Sequence, residues 1–357
     1  MASPRTPWAS LAVLATFAAV ACSDDGGDSA STAATTAGSG AAGAGNPTTS
    51  SGTGASGGVA SGVSFEERCA DPAVLACYGF DTSGELDALA NLSGFSDPTF
   101  DGVTFAEGDG AMHMDVLEGS GPDTSGSATL PFNGTVGVGE TLYLQWRQRF
   151  SASFLDAEYD ANGWKQLIIH ENTSNAGCSD SEIVVTNQGE SRDFPIVYHA
   201  CNVFHAPREN PVDGNQYEFD LQPGGDTRCL YSWMENGLDF TEPSDDVDEV
   251  ACIAYHPDEW MTFQVGVHLN EWCTTMPYDQ CPQNSRIQLW VAREGEPSVL
   301  VIDWPIAFYT STDPASTAYD SVLLTPYNTN KNPSQSHPPA EVWYDSVIIS
   351  KARIADP

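Results

Sequence analysis

The chain is 357 residues long and strongly acidic, with 13 Lys and Arg against 49 Asp and Glu and a formal net charge of −36. That balance argues against nucleic acid and anionic membrane surfaces as partners. It leaves an anionic polymer open as a ligand, because charges more than about 8 Å apart are largely screened at physiological salt and local basic residues then decide.

The first segment has Arg5 as its early basic side chain, then an apolar run from Leu11 to Ala21 with small residues just before Cys22. This is the pattern of a signal peptide over residues 1–21, and the run is shorter than the roughly 18 residues of a spanning helix. Ala19-Val20-Ala21-Cys22 resembles a lipobox, which would make Cys22 a lipidation site. Such motifs usually carry Leu where Ala19 stands, and ordinary cleavage after Ala21 is the alternative. Residues 22–62 are nearly all Ser, Thr, Ala, Gly and Asp, with nothing apolar enough to offset the entropy of ordering. A tether of that length has a root-mean-square span of about 35 Å.

Nine cysteines less a lipidated Cys22 leave eight, an even set. Cys69 and Cys77, Cys178 and Cys201, Cys229 and Cys252, and Cys273 and Cys281 form consecutive couples, so sequential local bridges are the simplest pairing. No zinc-type Cys-x-x-Cys spacing competes with a disulfide role. The compartment is then oxidising: the cell envelope, as an outer-membrane or cell-surface lipoprotein touching the membrane through its lipid alone, or the medium if Cys22 is not lipidated.

Residues 63–357 show no second linker and no internal repeat, and a single monomeric domain is expected. Alternation places Leu142, Leu144, Trp146 and Phe150 on one face, with Gln148 the exception, and Tyr143, Gln145, Arg147 and Arg149 on the other. Trp260 to Leu269 puts Met261, Phe263, Val265, Val267 and Leu269 inward and Thr262, Gln264 and His268 outward. Arg286 to Val291 turns Ile287, Leu289 and Val291 in and Gln288 and Trp290 out. Further strands are expected at Gly163–His170, Glu182–Asn187, Pro195–Cys201, Val299–Trp304, Asp320–Tyr327 and Glu341–Ser350, separated by Gly, Pro, Asn and Asp clusters. Strands without helices between them point to an all-β fold, a two-sheet antiparallel β-sandwich of jelly-roll type. Trp146 and Trp343 are expected in the core and Trp164 at the edge of a groove.

Three stretches resemble the concanavalin A-like jelly roll of proteins related to bacterial polysaccharide lyases. They are Tyr143 to Phe154 followed by Gly163-Trp164-Lys165-Gln166, then Glu259 to Val265, and the pair Leu324-Thr325-Pro326-Tyr327 and Val342 to Ser350. The resemblance covers most of the chain after Ala128. It implies a polysaccharide ligand and β-elimination of a uronic-acid polymer. That reaction needs a group to neutralise the carboxylate, a base for the C5 proton and an acid for the leaving oxygen. Related lyases use Gln or Asn with Arg for the first, and His or Tyr for the others, with Gln and His commonly two residues apart.

Here Gln166 and His170 stand four apart on one strand, which places them on one face together with Ile168. The catalytic candidates are His170, His268, Tyr327 and Gln166. The substrate-binding candidates are Arg147, Arg149, Lys165, Gln264, Trp290 and Lys331, brought near them on one wet sheet face. A binding module or structural surface lipoprotein using the same groove without chemistry is the rival. A glycoside hydrolase, pairing Glu182 with Asp303 or Asp345, is the second enzyme class. No cofactor is required. Asp245-Asp246-Val247-Asp248-Glu249 offers carboxylates to a structural calcium ion, but without the glycine turn of a loop site it reads first as a solvated loop.

Overall fold

Apolar side chains at every second position dictate strands with one buried face, and the chain is built from them. The computed structural model describes residues 62–89, 98–119, 125–157, 164–171, 182–187, 195–200, 253–274, 284–309, 317–326 and 339–357. In chain order the elements are α1 (Phe65–Cys69), β1 (Val74–Tyr78), α2 (Ser83–Asp87), β2 (Thr99–Asp101), β3 (Ala111–Val116), β4 (Ala128–Val136), β5 (Glu140–Phe150), α3 (Ala152–Leu155), β6 (Trp164–His170), β7 (Glu182–Asn187), β8 (Ile196–Ala200), β9 (Trp260–Leu269), β10 (Trp272–Cys273), β11 (Ser285–Ala292), β12 (Val299–Ile306), β13 (Phe308–Tyr309), β14 (Tyr319–Leu324) and β15 (Ala340–Ser350).

They form a two-sheet antiparallel β-sandwich of jelly-roll type. The larger sheet runs β12-β11-β9-β5-β15-β3-β2, with β1 also pairing β15, and the smaller runs β4-β14-β6-β7-β8. A short parallel pair, β10 with β13, lies outside both ladders. On one side β15 pairs with β5; on the other, β3 takes Ala340 to Tyr344 and β1 takes Val347 to Ser350. The register breaks between Asp345 and Ile348, where Ser346 adopts a positive φ of 49° and its backbone N–H donates to the Asp345 carboxylate.

The expected alternation holds on β5, β9 and β11: Leu142, Leu144, Trp146, Phe150, Met261, Phe263, Val265, Val267, Ile287, Leu289 and Val291 share one core with Leu167, Ile169, Ile183, Val185, Val322 and Leu324 of the smaller sheet. Each large side chain enclosed there contributes about 1.5–3 kcal/mol. Gln148 also points inward, and its presence is explained by a polar cluster inside the sandwich. Trp146 Nε1 and Gln166 Nε2 both donate to Gln148 Oε1, at 3.0 and 2.9 Å, and the Tyr255 hydroxyl donates to Gln166 Oε1 at 3.0 Å.

Two tryptophans depart from expectation. Trp164 is in the core against Phe150, Phe154 and Tyr255, and not at a groove edge. Trp343 is on the outer side of the larger sheet, in a separate small cluster with Trp260 and Ala111, because it alternates with the inward Val342 and Tyr344. Cys69 and Cys77 are bridged, tying α1 to β1. Cys273 is also disulfide-bonded. Cys22, Cys178, Cys201, Cys229, Cys252 and Cys281 lie outside the described residues.

Candidate functional site

The two sheets turn two different outer faces away from the core, and the expected site residues divide between them and the core itself. On the larger sheet, register aligns Gln145, Gln264 and Trp290 in one row and Tyr143, Gly266 and Gln288 in the next. The final segment of the chain lies over the first row. Gln264 Oε1 accepts the Ile354 N–H at 2.9 Å, and its Nε2 donates to the Ile354 carbonyl at 3.0 Å. Gln145 Nε2 donates to the Ala355 carbonyl at 3.0 Å, while its Oε1 accepts from Arg68 of α1. Arg353 stacks over Trp290, 4.8 Å from the ring centroid. Tyr143 and Trp290 close over Gly266, where a Cβ would come within 2.9 Å of the Tyr143 ring. Gln264 and Trp290, expected to bind substrate, are therefore engaged by the chain's own C-terminal segment.

Arg147 and His268 share this outer face but lie far apart on it. Arg147 pairs with Thr262 and His268 sits six residues further along β9, about 20 Å at strand rise. Both cannot reach one reacting centre, which needs each group within hydrogen-bond distance. Arg147 is buried, donates to the Ala106 carbonyl at 3.4 Å and pairs with Glu294 at 3.6 Å. Burial, the largest influence, holds its pKa below that of a free guanidinium, against the opposing fields of Glu107, Glu294 and Asp345. Arg149 pairs with Asp258 at 3.4 Å and lies over the Trp343 ring. His268 sits in a polar tile: Nε2 is 2.9 Å from Gln288 Oε1 and 3.4 Å from the Tyr143 hydroxyl, and Nδ1 is 3.3 Å from Thr141 Oγ1. Arg286, beside it, forms a two-pronged pair with Asp303.

The smaller sheet presents a different surface. The expected sharing of one face by Gln166 and His170 is overturned by a bulge between Lys165 and Leu167 in the β6–β7 ladder. The extra residue changes the alternation, so Gln166 points into the core polar cluster while Ile168 and His170 point outward. Ile168 packs there with Val184 and Leu323, apart from the main core. Ser321 pairs with His170 on β14, and Glu182 is one step beyond the Ile169–Ile183 pair on β7.

His170 is 8 % exposed and its protonation is fixed by its partners. Nδ1 lies 3.0 Å from the Glu171 carbonyl, which only accepts, so Nδ1 carries the hydrogen. Nε2 is then a bare lone pair, and it is enclosed without a hydrogen-bond partner. Burial holds the His170 pKa below the ordinary imidazole value, although the Glu171 carbonyl and the Asp320 charge oppose it. Glu182 moves the other way: burial raises its pKa to about 7, with Lys165 opposing. Neighbouring strands thus carry a neutral base and a carboxyl able to hold its proton near neutrality. Periodicity alone did not bring these two together, since their adjacency depends on the β6–β7 register.

Tyr327, Lys331 and the acidic stretch Asp245 to Glu249 lie outside the described residues. Glu182 cannot join Asp303 or Asp345 in a hydrolase pair, because those two belong to the larger sheet on the opposite side of the core. Among the described residues, one group of metal-ligating side chains converges: His113, Asp115 and Glu341, on the β3–β15 ladder.

No protein-family profile and no curated protein sequence matches the chain. Among solved structures it is similar to the alginate lyase Aly36B, at 13 % identity over 78 % of this chain and 94 % of that one, with a TM-score of 0.42. It is similar to a PL-14 alginate lyase from Aplysia kurodai, at 11 % identity over 78 % and 99 % of the two chains and a TM-score of 0.48. It is also similar to an endo-β-1,4-glucuronan lyase from Trichoderma reesei, at 10 % identity over 78 % and 96 % and a TM-score of 0.43.

Proposed function

We propose that the outer face of the smaller sheet is the working surface and that the protein is a polysaccharide lyase, cleaving a uronic-acid polymer by β-elimination. The observation that carries this reading is His170: a neutral imidazole with Nε2 bare, enclosed and unpartnered. A buried polar atom left unmatched costs about 1–3 kcal/mol, a cost that substrate binding would relieve. In the proposed reaction Nε2 takes the C5 proton, the bond from C4 to the bridging oxygen breaks, and protonated Glu182 gives its proton to that oxygen. The product carries a double bond, and the proton on His170 returns to Glu182 to reset the site. Opposed pKa shifts on neighbouring groups are the usual mark of such an acid and base. The apolar strip of Ile168, Val184 and Leu323 suits the apolar face of a sugar ring, and Lys165 provides positive charge further along β6 for the polymer's carboxylates. Acting on such a polymer fits a chain exported by its first 21 residues and held at the cell envelope through Cys22.

The test is ultraviolet absorbance of the unsaturated product while the full chain is incubated with a panel of uronic-acid polymers. Activity on one polymer is expected to fall by about 10²–10⁴ in His170→Asn and to persist in Gln264→Ala. A flat trace across the panel from folded, oxidised protein would refute the lyase, and retained polymer binding would then favour a non-catalytic carbohydrate-binding surface.

A further inference from the structure

The β3–β15 ladder places two acidic side chains directly opposite each other, Asp115 against Glu341. Like charges so placed destabilise a sheet, and nothing in the core requires either of them, since they point outward. Next to them, at the Trp343–His113 pair, the imidazole stacks on the indole with ring centroids 5.0 Å apart. Its Nε2 lies 3.3 Å from Glu341 Oε1 and 3.9 Å from Asp115 Oδ1, yet it is shielded from solvent and makes no hydrogen bond.

The other ring nitrogen explains this. Thr99 Oγ1 is 3.4 Å from the His113 carbonyl, to which it donates, and 3.2 Å from Nδ1, from which it accepts. With Nδ1 carrying the hydrogen, Nε2 turns a lone pair toward two carboxylates, and three electron-rich atoms face one another within 4.8 Å. Two ligands bound to a tetrahedral zinc ion at about 2.0–2.1 Å are separated by about 3.4 Å. The observed spacings match that edge more closely than they match hydrogen bonds.

We infer that His113, Asp115 and Glu341 form a binding site for a first-row divalent cation of the Zn²⁺ kind. The two carboxylates balance its charge, Nε2 supplies the nitrogen donor, and Thr99 orients the ring from behind as an outer-shell partner does. The imidazole disfavours Ca²⁺ and Mg²⁺, which prefer oxygen-only sets. Asp115 and Glu341 are 59 % and 45 % exposed, so a fourth position opens to solvent and takes water. The ion would clamp β15 to β3, next to the edge strand β2. This inference does not depend on the reading of the His170 face.

The experiment is calorimetric titration of the metal-stripped, oxidised full chain with Zn²⁺, beside Asp115→Asn, Glu341→Gln and His113→Gln. One equivalent is expected to bind wild type, each variant to bind at least about tenfold more weakly, and Zn²⁺ but not Mg²⁺ to raise the melting temperature. The two carboxylate variants alter exposed side chains and keep the test valid if His113→Gln fails to fold. Absence of binding, or variants that bind as tightly as wild type, would overturn the site.

Discussion

Gln264→Ala separates the two outer faces from each other. The substitution removes two hydrogen bonds to the Ile354 backbone, at 2.9 and 3.0 Å, each worth about 1 kcal/mol net. Ile354 is 6 % exposed, so loosening its segment also releases part of the roughly 1.5–3 kcal/mol that burying such a side chain contributes. A loss of about 2–3 kcal/mol follows, or on the order of 5 °C in melting temperature for a domain of this size. Hydrogen exchange should show the amides of Arg353 to Asp356 losing protection first, because the altered contact holds that segment and no strand. Turnover on any polymer the wild type cleaves should be unchanged at a temperature where the variant is folded. Undiminished stability together with lost activity would refute this reasoning and place the working surface on the larger sheet.

Stability should fall as pH rises through the range set by the raised carboxyls. Burial lifts Glu182 from 4.5 to about 7 and Asp345 from 3.8 to about 6. The folded state therefore keeps protons that the unfolded chain releases, and the associated stability is present at low pH and lost between the unfolded and folded pKa values. Glu182→Gln should flatten the part of the denaturation-versus-pH curve between about 4.5 and 7, on the order of 3 kcal/mol; an unchanged curve would show that Glu182 does not titrate there. Cys69→Ser with Cys77→Ser should cost about 2.5 kcal/mol by chain entropy for a sequence separation of 8, read as a difference in urea midpoint from the wild type that disappears when both proteins are measured in reductant.

The sandwich was legible because period-two patterning is strong where one face is buried. Met261 to Leu269 and Ile287 to Val291 alternate without interruption, and Gln148 stood out correctly as an inward polar residue. Strands β1 to β4 gave weaker signals: β4 contains Pro131 and Gly134, and β2 has three residues. The site was less legible for two physical reasons. A bulge at Lys165/Leu167 inserts one residue and reverses the face of Gln166 relative to His170, and nothing in Trp164-Lys165-Gln166-Leu167 announces it. The occupation of Gln145 and Gln264 depends on backbone groups at Ile354 and Ala355, a contact that alternation within β5 and β9 cannot express.

Both ends of the described domain contribute to closing the larger sheet's outer face. Arg68 of α1 reaches Gln145 there, the last residues cross Gln264 and Trp290, and the Val63 N–H donates to the Asp356 carbonyl at 3.3 Å. Polar side chains that alternation assigns to solvent are thereby satisfied by backbone, which accounts for amides and an indole on an outer face that are nearly as enclosed as the core.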